Sequence, residues 1–332
     1  MLFVREDPLF TALDAELHAY SITFCPPVNS FKLSEKHDKM GTMIKTAVTI
    51  ENEDMIEVMH EAGADEVILA LENGTFSALG SYAGDEIIRL AEKIHACHMQ
   101  VSVLMNRLFP EDELASFANQ MIWLLNEGID HIICADPGLL YHAMEKGYAS
   151  RLVFDPMTMM TNSRDALFYK QLGLSSVAVS QLLTAGEIMD IASQVPDCSL
   201  CVFGHQMMSV SARPLLSAYG ERQDLAELKN RRDLSLREEK REEQMPVYEN
   251  DYAAMIASDY VQDSLDYIVP FAEAGISRFV LDGAFLSPEF LRDALIAVKE
   301  VLQGNDTAKE TFRKKYSSEK LSDGYYGIKT IQ

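Results

Sequence analysis

The chain lacks most of the features by which a sequence announces a chemistry. Its five cysteines, Cys25, Cys97, Cys134, Cys198 and Cys201, are odd in number and scattered, which argues against a disulfide framework and suits a reducing compartment. Cys198 and Cys201 have the spacing of half a zinc site, but no second pair exists and Cys201 falls inside a strand-like run. Both read as buried thiols. No apolar run is long enough to cross a bilayer, and the opening "MLFVREDPLF" puts charges where a signal peptide needs an apolar centre. A cytoplasmic protein with no membrane partner is expected. Positive charge is scarce too: 29 Lys and Arg face 51 Asp and Glu, for a net charge of −22. Such a surface offers phosphates no basic face, so any contact with nucleic acid is expected to be indirect. The short basic cluster Lys309, Arg313, Lys314, Lys315 and Lys320 reads as a solvated helix face. Neither a Gly-x-Ser-x-Gly elbow nor a phosphate-cradling glycine loop occurs.

What the chain does have is a phrase written four times: "HEAGADEVILA" from His60, "LNEGIDHIICAD" from Leu125, "KQLGLSSVAVSQ" from Lys170 and "FAEAGISRFVLDG" from Phe271. Each copy follows an amphipathic stretch with apolar residues at helical spacing. Gly63, Gly128, Gly173 and Gly275 then stand where a helix ends in a left-handed residue. An aliphatic residue, an Asp or Ser and a variable residue follow. The phrase closes on an apolar run of the kind found in parallel strands buried on both faces. It is a helix-to-strand joint.

"IKTAVTI", "QVSVLM", "RLVFD" and "SLCVF" supply four more such strands. Eight strands begin near Ile44, Glu66, Gln100, His131, Arg151, Ser176, Ser199 and Arg278, and helical segments separate nearly all of them. Eight alternating units predict an α/β fold, a (β/α)8 TIM-type barrel over residues 43–303. An open doubly wound sheet is the alternative, but it calls for a glycine-rich first turn that "TIENED" lacks. Residues 1–42 form an N-terminal extension, with Met40 or Met43 as other starting points. The interval between strands seven and eight, an insertion at about 205–270, exceeds one helix and loop. It contains a mixed-charge segment and then "MPVYENDYAAMIAS", a hairpin turning at Asn250-Asp251. Residues 304–332 form a C-terminal tail.

Barrel enzymes draw their reactive groups from the carboxyl ends of the strands. Those positions hold Glu72, Asn106, Arg107, Asp136, Asp155, Gln181, His205 and Asp282. Asn106, Asp136, Asp155, His205 and Asp282 are the candidate catalytic residues, as metal ligands or as acid and base. The competing reading is structural: Asp136 and Asp155 each precede a proline, a natural helix-capping position. His205 is the single histidine at this rim, where metal-dependent barrel hydrolases bring at least two. Met105, Met157, Met159, Met160, Met207 and Met208 give the rim an adaptable apolar lining.

Over roughly residues 43–303 and the tail, the sequence resembles the peptidase U32 family. The similar stretches are "EAGADEVILALENGTFSA", "VLMNRL", "CADPGLL", "MTNSRDALFYKQLG", "LLTAGEIMDIA", "SLCVFGHQMMSVSARPLLS", "SRFVLDG" and "SDGYYGIKT". The resemblance implies a barrel-like catalytic domain. It further implies either collagenase-type peptidase activity or oxygen-independent hydroxylation of tRNA, rRNA or quinone precursors. Hydroxylating members hold a four-iron cluster through four cysteines. A gapless match around strand seven keeps Gly204, Ser209, Ser211, Leu215, Leu216 and Ser217, but sets Phe203 at the family's histidine and Met207 and Pro214 at its cysteines. Ser180 and Gln181 replace an Arg-Glu pair, and Ala284 replaces the arginine after Asp282-Gly283. Asp155 and Met157 occupy strand five's Ser and Gln positions. Asn106, Asp136, Asn162 and Asp282 are retained. No cofactor or metal is therefore expected, an iron–sulfur cluster least of all. The short form and lost cysteines are similar to a Gram-positive branch linked to wobble-uridine hydroxylation in tRNA. There a longer, cysteine-bearing paralogue is the expected partner, with homo-oligomerisation as another expectation. This resemblance implies a supporting or weakly catalytic subunit. A metal-assisted peptidase and a small-molecule-binding barrel are the alternatives.

Overall fold

The computed structural model describes residues 44–328, apart from 226 and 241. The expectations for residues 1–42 lie outside the described residues. In chain order the strands are β1 (Lys45–Thr49), β2 (Glu66–Leu71), β3 (Ser81–Tyr82), β4 (Gln100–Met105), β5 (His131–Cys134), β6 (Leu152–Phe154), β7 (Ser176–Ala178), β8 (Cys198–Ser211), β9 (Ser235–Leu236), β10 (Met245–Glu249), β11 (Ala254–Asp263), β12 (Ile276–Leu281) and β13 (Leu321–Ser322). Eight of them form a ring, β1-β2-β4-β5-β6-β7-β8-β12 and back to β1, with every neighbouring pair parallel. Pairing of β12 with both β1 and β8 closes the cylinder. The expected (β/α)8 barrel is what forms, and the open sheet is excluded.

The repeated phrase sets the joints. Gly63, Gly128, Gly173 and Gly275 all take positive φ. At Gly275 a side chain is also barred sterically, since a Cβ would come within 2.6 Å of the Ala192 carbonyl oxygen. The third residue of the phrase fastens the neighbouring strand. Asp65 accepts hydrogen bonds from Thr46 N at 2.7 Å and Thr46 Oγ1 at 2.9 Å, and Asp130 accepts from Val101 N at 2.8 Å.

Strand alternation then divides the side chains. Val67, Leu69 and Leu71 of β2 face the helices in the main core, whereas Ile68 meets Ala47, Ile133 and Val153 inside the ring. Two residues before that inner apolar layer on each strand, the barrel floor is polar. Arg278 donates through Nε and Nη2 to Glu66 at 2.9 and 2.6 Å, and Ser102 Oγ donates to the same carboxylate. Glu66 is 1% exposed and Arg278 7%. Burial alone would raise the Glu66 pKa. The guanidinium charge and the hydrogen bonds outweigh it and hold the carboxyl at about 2.

The insertion is built on β8, which runs past the ring and pairs antiparallel with β11; β10 and β9 follow in the same ribbon. The hairpin turns at the expected place, where Asn250 Oδ1 accepts from Tyr252 N and Ala253 N. The tail is integrated into the barrel. Its helix Thr307–Lys315 packs Phe312 into the core, and β13 pairs with β11. Tyr326 is buried against Tyr267 and Phe271. Gly324 takes φ +60°, and a Cβ there would lie 2.4 Å from Gln262 Oε1 and 2.9 Å from Gln206 Nε2. Three of the tail's cations are engaged by acids: Arg313 by Asp263 and Asp266, Lys315 by Glu289 and Asp293, Lys320 by Asp259. No helix among the described residues is long and apolar enough to cross a membrane.

Glu66→Gln leaves the Arg278 guanidinium buried without its counter-charge, so chemical denaturation at neutral pH is expected to show a loss of about 3–5 kcal/mol. The folded pKa lies below the ordinary 4.5, so the wild-type stabilisation is complete above that value and fades as pH falls towards 2. The gap between wild type and variant therefore narrows across that window.

Candidate active site at the barrel mouth

The five candidate residues separate into two groups. Asp136 is spent on scaffolding. Its Oδ1 accepts from Gly138 N and Leu139 N at 2.6 and 3.1 Å, opening the helix Pro137–Glu145, and its Oδ2 accepts from Phe109 N at 2.9 Å. Asn106 is equally engaged. Its Oδ1 accepts from Thr75 Oγ1 at 2.7 Å and its Nδ2 donates to Ser77 Oγ at 3.1 Å, which shapes the loop after β2.

Asp155, His205 and Asp282 are brought together at the inner rim. Asp155 accepts from Met157 N at 2.8 Å, with Met157 held at φ 61°. Asp282 accepts from Ala284 N at 3.0 Å and more distantly from Thr49 Oγ1 at 3.4 Å. Burial raises both carboxyl pKa values above the ordinary range, and the charge of Asp282 adds to the effect on Asp155. His205 donates from Nδ1 to the Ser258 carbonyl at 2.7 Å, which leaves Nε2 as the other ring position. Its ring stands edge-on to Phe285 at 6.0 Å. Burial lowers the His205 pKa, opposed by the Ser258 carbonyl and the Asp282 charge. A fourth member, missed from sequence, is Cys201. Its thiol donates to the Phe203 carbonyl at 3.3 Å, and burial together with Asp282 and Asp155 pushes its pKa up. Alternation along β8 carried the signal, since Cys201 lies two residues after the inward Ser199. Burial thus moves all four groups towards their uncharged forms, raising the two carboxyls and the thiol and lowering the imidazole.

The insertion closes over this mouth. Phe76, Leu79, Tyr248, Met255 and Ala257 form an apolar cluster with Met157, Met207 and Phe285 packed against it. Arg107 fastens the cover: its guanidinium lies 3.9 Å from the Tyr252 ring centroid, Nη1 donates to the Asn73 carbonyl at 2.8 Å, and Nη2 meets Glu113. Tyr252 OH donates to Asn73 Oδ1 at 2.7 Å and Asn250 Nδ2 to the Thr75 carbonyl at 2.9 Å. Arg232 reaches Glu51 at 3.0 Å. A polar cleft of about 330 Å³ runs along this seam, lined among others by Glu72, Asn73, Asn230 and Asn250.

The four cysteines among the described residues do not gather at one place and so do not fit an iron–sulfur cluster there. Cys134 faces the helix layer in the main core, Cys198 donates to the Val195 carbonyl, Cys201 lies inside the ring and Cys97 ends the helix Gly84–Ala96. Cys25 lies outside the described residues. Met207 is packed beneath the insertion, and Pro214 is exposed ahead of the helix Leu215–Gln223. Among the described residues no group of three or more His, Cys, Asp or Glu is placed to hold a metal ion.

The fold and site define a closed parallel β/α barrel with a covered mouth and a carboxyl, thiol and imidazole set beneath the cover. Residues 51–329 match Peptidase family U32, and the chain belongs to that family. It is 23% identical over 247 residues to tRNA hydroxylation protein P2 of Bacillus subtilis (strain 168), covering 73% of this chain and 80% of that protein. To tRNA hydroxylation protein P of Escherichia coli (strain K12) it is 27% identical over 165 residues, spanning 49% of this chain and 36% of the longer protein. Among solved structures it is similar to the U32 peptidase Mk0906, at 14% identity and a TM-score of 0.48, covering 75% of this chain and 96% of that one.

Two outcomes are expected. A carboxyl whose folded pKa is raised lowers stability as pH climbs above its unfolded value, 3.8 for aspartate. Asp155→Asn should therefore melt at a higher temperature than wild type at pH 7, and the advantage should vanish below pH 3.8. Arg107→Ala should accelerate amide hydrogen exchange in residues 245–257, while β2 and β4 keep wild-type protection.

Proposed function

We propose that this chain is a supporting or weakly catalytic subunit in the hydroxylation of the tRNA wobble uridine, acting with a longer, cysteine-bearing U32 paralogue. The observation that carries this reading is the erosion of the mouth. By the resemblance, Met207 and Pro214 stand where the family has cysteines, and the described cysteines are dispersed through the barrel. The relatives named for tRNA hydroxylation support the pathway. The net charge of −22 opposes direct capture of tRNA, so the partner supplies the tRNA-binding surface. Asp155, Cys201, His205 and Asp282 retain a compartment with hydrogen-bonding and proton-carrying capacity, which suits a weak catalytic contribution better than a purely passive subunit.

The peptidase alternative has less support. It needs either a nucleophile beside a base or a metal. His205 already spends Nδ1 on a backbone carbonyl, and the described carboxylates are not grouped for metal binding.

Deleting the gene in its host and measuring tRNA nucleosides by mass spectrometry tests the proposal. The 5-hydroxyuridine-derived nucleosides are expected to fall and to return with the wild-type gene. A gene carrying Asp282→Asn is expected to restore them only in part. Unchanged nucleosides in the deletion strain would sink the assignment, and full rescue by the Asp282→Asn gene would leave the subunit role without a catalytic share.

A further inference from the structure

Thirteen large apolar side chains are prominently exposed among the described residues, and six of them lie between positions 208 and 236: Met208, Val210, Leu215, Tyr219, Leu225 and Leu236. Single exposed apolar residues are ordinary, but a concentration in about a tenth of the chain is not. In the helix Leu215–Gln223, Leu215 and Tyr219 are one turn apart and Arg222 follows three residues later, so the three form one stripe. The start of that helix is fastened from behind. Glu249 on β10 accepts from Leu216 N at 2.7 Å and from Ser217 N at 3.1 Å. The stripe is 48% exposed at Leu215 and 56% at Tyr219. Met208 and Val210 lie on the strand that leads into the helix. Leu236 lies on β9, where the order of strands in the ribbon ends.

Charge distinguishes this surface from the rest of the molecule. The helix and its flanks, residues 213–225, carry two arginines and two acids, Arg213, Arg222, Glu221 and Asp224, so this stretch is neutral and the excess of −22 falls on the remainder. A neutral face gives a phosphate backbone no net attraction, and it offers no charge match to a strongly acidic or basic protein. It can, however, meet a copy of itself. Exposed Arg213 and Arg222 stand beside exposed Glu221 and Asp224, a mixture that a two-fold axis can set in register. Contact through this face also avoids setting the excess acidic charge of one copy against that of the other. Arginine, tyrosine and methionine are the residue types that protein–protein contacts favour.

We propose that the outer face of the insertion is an isologous contact between two copies of this chain. The contact is independent of the subunit role given above: it concerns the outer side of the ribbon, whereas the mouth lies beneath its inner side. Light scattering on the purified full chain, across the micromolar range, should give twice the 37.2 kDa of one chain. The double variant Leu215→Asp with Tyr219→Asp should be monomeric, and Arg222→Glu should weaken the dimer by about tenfold or more. These side chains are exposed, so thermal melts of the variants at low concentration should match wild type. Ile296→Asp, at an exposed apolar site outside the insertion, should leave the dimer intact. A monomeric wild type overturns the proposal, as does a dimer indifferent to the double variant. Loss of a folded melt in the double variant transfers the test to Arg222→Glu, whose unchanged dimer would equally overturn it.

Discussion

The buried pair Glu66–Arg278 is the contact on which the closed barrel turns. It joins β2 to β12 across β1, where the first and last strands of the ring meet, and its partners are 212 residues apart in sequence. A buried ion pair stabilises little by comparison with well-packed apolar residues, but it penalises every arrangement in which one charge lacks the other. It therefore acts on the choice of register. A slip of β12 against β1 by one residue would turn Arg278 towards the helices and leave Glu66 enclosed without a counter-charge. Above this floor lies an apolar layer, and above that the carboxyls of Asp155 and Asp282. The interior is polar, apolar and polar again along its axis.

Much of the architecture was legible because the joint is repeated. Glycine, aliphatic, Asp or Ser, and an apolar run specify a helix end and a buried strand locally, without knowledge of what the strand packs against. The fourth position of the phrase looked merely variable, yet it is the floor: Glu66, His131 and Arg278 occupy it in three of the four copies. Its variability is complementarity between strands, which a comparison of copies one at a time does not reveal. The candidate site was legible in the same partial way. Every position at a strand's end was found, but the division between Asp136 and Asp155, both followed by proline, depends on which backbone N–H groups lie within reach. That is a property of neighbouring loops. Cys201 was read as a buried thiol and left out of the site because a cysteine in an apolar strand has no sequence mark that says inward or outward beyond its parity.

The cover over the mouth changes what the rim residues mean. In an open barrel, Asp155 and Asp282 would keep ordinary carboxyl behaviour. Here burial raises both pKa values, while Met157, Met207 and Phe285 pack with the inner face of the ribbon over the ring. Arg107 follows β4, whereas Asn250 and Tyr252 share the hairpin turn of the insertion, so the cover is held by a few polar contacts over an apolar seat.

The junction of the tail with the barrel has an evolutionary reading. Gly324 leaves no space for a methyl group beside Gln206 and Gln262, which bond to each other at 2.7 Å and are themselves fully buried. A larger residue at 324 would require a shorter one at 206 or 262, and a shorter one there would strand an amide. The three positions can drift only as a set, so descendants of this barrel should either keep the trio or replace it wholesale.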